Sequence, residues 1–349
     1  MKLKLFLTFD HELPLGKLKT SYHEALFGPT EKVMDLAEAM DVKVNLFTDI
    51  LCGLRFREWD HDHFYLPYTQ QLKDALLRGH DVQLHIHPHW LTSTYSDGQF
   101  HASVDFSLSD FMNNNQYKGI EGVVSMATKT LTEICQAAKP DYQCIAYRAG
   151  GYNLQPATAQ IFEALYKAGI RYDSSIARGY YFKSGISEVD FSKLPDQGNW
   201  VIDPNDLSKV GSQPGVTEIP IITIPKSPFE VPTAFKMRET AHRAPVSHGQ
   251  VIHEDGKRSL KSKLRAMFCD RMITFDNYTL SSDYLLKALD YNIRKYGKTD
   301  LLLLSMIAHP KSMGDYSFQL MKEFIVKVRS KYPDAEFCTF NQLHQANHD

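Results

Sequence analysis

Short apolar runs recur along this chain, separated by stretches with helical spacing, and five of the runs stop at a cluster of polar residues. Runs at 3–10, 42–47, 82–85, 143–147, 171–174, 217–224, 301–307 and 336–339 read as strands. Between them, 30–40, 70–77, 123–138, 156–168, 283–296 and 318–330 carry the apolar period of helices, the first opened by Pro29 and Thr30. Strands that alternate with helices over most of a chain call for a parallel sheet, because parallel neighbours need a crossover long enough to hold a helix. The simplest closure is an α/β fold of distorted (β/α) barrel type, forming a single domain over 1–349. Three stretches break the rhythm, at about 55–68, 92–118 and 225–274, and are expected to be insertions on the barrel. The third is locally basic, which by itself denotes an ordinary solvated face.

Composition narrows the function by exclusion. With 349 residues, 43% of them apolar, the chain can bury a large core. Its formal net charge of -2 gives no whole-chain signal for nucleic acid or an anionic membrane surface. The five cysteines, Cys52, Cys135, Cys144, Cys269 and Cys338, are scattered and form no C-x-x-C motif. No stretch approaches the roughly 20 apolar residues of a membrane span, and the first residues run straight into a strand without a leader-like segment. A cytoplasmic, soluble protein is the expectation.

The polar clusters carry the chemistry. In His85-Ile86-His87-Pro88-His89-Trp90, three imidazoles fall where a strand meets a loop, a density that packing alone does not explain and that suits a zinc-type site. A backbone that turns after His85 would let His85 and His89 face one ion; one that stays extended would put all three on one face. Thr8-Phe9-Asp10-His11-Glu12 ends the first strand, and alternation sends Asp10 and Glu12 to one side and His11 to the other. Tyr147-Arg148-Ala149-Gly150-Gly151-Tyr152 offers an arginine able to hold a carboxylate, beside glycines that allow close backbone approach. Tyr172-Asp173-Ser174-Ser175 follows the next strand, and Ala308-His309-Pro310 ends the most apolar one, where a histidine suits a general acid. All five clusters lie at C-terminal strand ends, the edge on which parallel barrels build active sites.

Taken in order, T-F-D-H-E, H-I-H-P-H, Y-R-A-G-G-Y, Y-D-S-S and A-H-P resemble the polysaccharide deacetylases of carbohydrate esterase family 4, the NodB-homology group, and within it the branch of O-antigen and capsule biosynthesis. The resemblance implies a metal-dependent hydrolase that removes an N-acetyl group from an amino sugar. It makes Asp10 the general base, His309 the general acid, Arg148 the partner of Asp10 and Asp173 a support for Arg148. His85 and His89 become ligands of a divalent metal, zinc first. Two adjacent aspartates are common in the family where this chain has Asp10-His11, so Glu12 is the expected third ligand and His11 its substitute. Gly151 and Tyr152 are the expected oxyanion and substrate contacts, and Trp90, Tyr147 and Tyr152 the aromatic platform for a sugar ring. Competing readings are another metal-dependent amidohydrolase built on His85 and His87, and a carbohydrate-binding protein without turnover.

Overall fold

Lys2–His11 forms the first strand, β1, and every element of the site is placed relative to it. The structure, a computed structural model, describes residues 1–226, 265, 268–276 and 281–346. The other strands of the main sheet are β2 (Asn45–Asp49), β3 (Asp81–Ile86), β4 (Ala146–Ala149), β5 (Tyr172–Asp173), β6 (Trp200–Val201), β7 (Thr217–Glu218), β8 (Leu301–Ala308) and β9 (Glu336–Phe337). Their order is β6-β7-β5-β4-β3-β2-β1-β8, with β9 also on β1. Every pairing is parallel except β6 with β7. Isolated bridges from Ile221 to both Ala177 and Ser305 join the two ends of the sheet. Asn199 adds a stitch, donating to the Leu303 carbonyl and accepting its N–H, both at 2.8 Å. The result is the expected distorted barrel.

Strand alternation sorts the core into two bodies. Leu5, Leu7 and Phe9 pack beneath the helices, whereas Phe6 turns inward with Phe47, Ile219 and Leu303. Phe340, at the start of the helix Phe340–Ala346, plugs this interior from below with its ring 4.7 Å from that of Phe6. Burying each such ring stabilises the barrel by about 1.5–3 kcal/mol. The same inward parity then yields Thr8, Asp10 and Glu12, so polar groups sit directly above an apolar floor.

The expected elements shift in instructive ways. The run 217–224 becomes β7 plus Thr223–Ile224, because Pro220 has no N–H to continue the ladder, although its carbonyl still accepts from Ser305 at 3.1 Å. The stretch 55–68 is helical rather than a loop: Ile50–Trp59 runs through a short π-turn into Leu66–Leu77. Its aromatic density is core, with Phe56 and Phe64 at 4.2 Å and Phe56 edge-on to Trp90. The stretch 92–118 holds a small ribbon, Thr94–Ser96 with Gln99–His101, and a 3-10 turn capped by Ser107. Most of 225–274 lies outside the described residues; Arg271–Met272 pairs with Thr223–Ile224. No helix among the described residues is long and apolar enough to cross a membrane, and all five cysteines are buried.

Candidate active site

The two carboxylates of β1 share the inward face, as alternation requires. Asp10 is buried and accepts from Arg148 Nη1 at 2.9 Å through Oδ1, leaving Oδ2 directed at His309 Nε2 (3.6 Å) and His85 Nε2 (3.9 Å). Glu12 is equally buried: Oε1 accepts from Lys311 Nζ at 2.8 Å, and Oε2 faces His87 Nε2 at 2.6 Å and His85 Nε2 at 3.4 Å. Burial would raise the pKa of Glu12, but the Lys311 ammonium and the neighbouring imidazoles outweigh it and hold the carboxyl well below its usual range. His11 points the other way, its Nε2 3.0 Å from Gln71 Oε1. Buried in that outer layer, its pKa falls to about 4. Strand parity therefore separates Glu12 from His11 cleanly.

The close group of potential ligands pairs His85 with His87, where His85 and His89 were expected. His85, Glu12 and His87 bring three ligand atoms within 4.8 Å of one another, and His89 does not join them. The chain stays extended one residue past β3, with His87 at φ −106° and ψ 96°, so His85 and His87 keep a common face. Pro88 then opens a 3-10 turn, Pro88–Leu91, that carries the His89 ring back against Trp90 and Phe106 at 4.9 and 5.4 Å. Glycine makes room for this path: a Cβ on Gly150 would lie 2.6 Å from His87 Nδ1 and 2.5 Å from the Ile86 carbonyl.

Several features fit a divalent cation. A carbonyl can only accept, so the 2.9 Å contact between His85 Nδ1 and the Arg148 oxygen fixes the proton on Nδ1 and aims Nε2 at the acids. Burial alone would lower the pKa of His85, yet Asp10 and Glu12 raise it to about 9. The field that favours a proton there favours a metal ion in its place. His85 Nε2 and Glu12 Oε2 lack a well-aligned hydrogen-bond partner, and their 3.4 Å separation is close to the roughly 3.4 Å between two ligands of one tetrahedral zinc. Both nitrogens of His89 are also buried without a partner. Asp10, Glu12 and His309 make a second close group, but there Arg148 and Lys311 already supply cations.

His309 stands at the rim, its side chain 25% exposed, with Nδ1 2.6 Å from Asp276 Oδ2. Burial opposes its charge, but Asp276, then Asp10 and Glu12, prevail and raise its pKa. Asp276 thus fixes the proton on Nδ1 and turns Nε2 toward Asp10. Neither Asp276 nor Lys311 was anticipated from sequence. Arg148 is fully buried, stacked on Phe47 at 4.5 Å, and its remaining bonds go to Thr8 Oγ1 and to Ser174.

Three expected roles are corrected by this geometry. Asp173 does not bond to Arg148; parity turns it to Ser175, at 2.7 Å, and to Glu218, while Ser174 takes the expected place. Trp90 is fully buried, its indole N–H donating to Asp49 at 2.6 Å, so it offers no face to a sugar. Tyr147 is buried as well. Gly151 and Tyr152 remain at the mouth, both half-buried and both left-handed, with φ of 57° and 62°. For a tyrosine this conformation costs about 1 kcal/mol or more, and such strain concentrates at functional sites.

No protein-family profile matches the sequence, and no curated protein matches it. Solved structures do. The PuuE allantoinase is 12% identical over 99% of this chain and 90% of its own, with a TM-score of 0.51. A family 4 carbohydrate esterase from Streptomyces lividans, in complex with acetate, is 8% identical over 97% and 92%, at 0.39. The catalytic domain of a peptidoglycan N-acetylglucosamine deacetylase from Eubacterium rectale is 10% identical over 97% and 89%, also at 0.39. At 12% identity the property shared with the allantoinase is the fold alone.

Proposed function

We propose that this chain is a metal-dependent N-deacetylase acting on an acetylated amino sugar destined for a surface polysaccharide, O-antigen or capsule. One observation carries the reading: Asp10, fixed through one oxygen by Arg148, turns its other oxygen to a histidine acid and to a cation site at once. Glu12, His85 and His87 would hold the metal, with zinc the first candidate. When bound, such an ion polarises the amide carbonyl and makes a water acidic enough to attack near neutral pH. Asp10 Oδ2 accepts the proton of the attacking water, and Arg148 keeps that oxygen in position. His309, held by Asp276, delivers a proton from Nε2 to the departing nitrogen. The backbone N–H groups of Gly151 and Tyr152 would meet the developing oxyanion. Acetate and a free amino sugar leave. The sugar specificity rests on the motif likeness described above.

The test is acetate release by the zinc-loaded chain from nucleotide-linked, lipid-linked and polymeric N-acetylated sugars. One substrate class should respond; silence from all three, in a chain that binds one zinc, overturns the reading. Zinc titration of His87→Ala and His89→Ala decides the ligand. His87→Ala should lose affinity by about 100-fold or more, His89→Ala by far less, and the reverse order returns the role to His89. The close His85–His87 pair also favours a second reading, hydrolysis of a different amide by the same groups, so allantoin belongs among the substrates tried.

A further inference from the structure

Asp49 closes β2, in register with His85 on β3, and has no exposed surface. Its carbonyl accepts the Tyr68 hydroxyl at 2.8 Å, which fixes the backbone. Its carboxylate reaches the histidine turn at both ends: Oδ1 accepts the His87 N–H at 3.3 Å and Oδ2 the Trp90 indole N–H at 2.6 Å. The stretch from His87 to Trp90 is thus held at both ends by one side chain. No lysine or arginine forms an ion pair with Asp49 among the described residues; the basic side chains that act on it are those of His87 and His85. Burying a carboxylate costs several kcal/mol when no cation answers it. Burial accordingly raises the pKa of Asp49, with His87 and His85 opposing it, and a cation held by Glu12, His85 and His87 would answer the charge.

We propose that Asp49 is a positioning residue of the metal centre, clamping the His87–Trp90 turn and adding a buried negative charge behind the histidines. The proposal rests on the metal reading above. It goes beyond it in assigning a carboxylate that touches neither metal nor substrate.

The experiment is Zn²⁺ titration of the full chain, with the Co²⁺ visible spectrum as a report on ligand geometry and thermal unfolding without added metal as a control on folding. Asp49→Asn keeps the shape and removes the charge, and should weaken Zn²⁺ by about 10- to 100-fold and alter the Co²⁺ bands. Trp90→Phe keeps the charge and removes one bond, and should weaken Zn²⁺ by roughly 3- to 10-fold, the lower part of the range for such supporting groups. A merely structural carboxylate would lower the unfolding temperature and leave affinity and spectrum alone. Should Asp49→Asn fail to fold, Trp90→Phe decides. Variants that bind Zn²⁺ within twofold of the parent overturn the assignment of Asp49 alone. A parent chain that binds no Zn²⁺ overturns the metal reading, and this inference with it.

Discussion

Two pairs of carboxyl groups are buried at the same end of the barrel, and they live in opposite electrostatic states. Asp10 and Glu12 each touch a cation, Arg148 at 2.9 Å and Lys311 at 2.8 Å. Asp173 and Glu218, register partners on β5 and β7, have each other. Burial raises both of their pKa values, and for Glu218 the neighbouring Asp173 raises it further, whereas Lys311 and the imidazoles hold Glu12 low. The chain supplies all four acids at strand ends. What sets the two pairs apart is the placement of two basic side chains.

The comparison breaks most visibly if Arg148 is removed. Arg148→Met strands the Asp10 carboxylate in a dry site, and equilibrium denaturation should show a loss of about 3–5 kcal/mol. Adding Asp10→Asn should restore part of it, since the uncompensated charge is then gone; simple additivity would mean that the two residues are not coupled. Asp10→Asn alone should lower turnover by about 10²- to 10⁴-fold with zinc stoichiometry unchanged. Loss of zinc instead would make Asp10 a ligand. Next in size is the acid. In the proposed reaction His309 acts while protonated, and its pKa is raised, so activity should persist past pH 6.5 and fall as pH rises through the raised value. Asp276→Asn withdraws the main anion behind it and should move that falling limb down by about 1 unit in a pH–rate profile. An unmoved limb would assign the titration to another group.

The inward placement of Glu12 and the outward placement of His11 follow from alternation along β1, which needs nothing but the strand. The choice between His87 and His89 does not, because it turns on how far the chain stays extended beyond β3 and on Gly150 leaving space for the His87 ring, a contact between segments 63 residues apart in register at His85 and Arg148. Asp49 was within reach: ending β2 at Asp49 rather than Phe47 places another acid at the edge where the other clusters lie. Lys311 and Asp276 were not, since a lysine after Pro310 and an aspartate in an aperiodic stretch look like any surface charge until the barrel closes. The architecture was more legible than the site because it depends on apolar period, and the site depends on which polar groups meet across strands.

The smallest effect bears on the second acid pair. A carboxyl whose folded pKa is raised binds its proton more tightly in the folded chain, so its favourable contribution is complete below the unfolded value of 4.5 and is lost as pH rises through the folded value. Glu218→Gln removes the titrating carboxyl, and the amide oxygen can still accept the Ile176 N–H, now at 3.3 Å. Little change is expected at pH 4. Toward pH 8 the variant should be the more stable by about 1 kcal/mol, the scale of one exchanged hydrogen bond. Parallel stability curves for the two proteins would mean that Glu218 titrates normally and that the two acid pairs are alike after all. Because Glu218 lies away from the Glu12–His85–His87 cluster, zinc affinity should not move, which keeps this measurement independent of every test on the catalytic side.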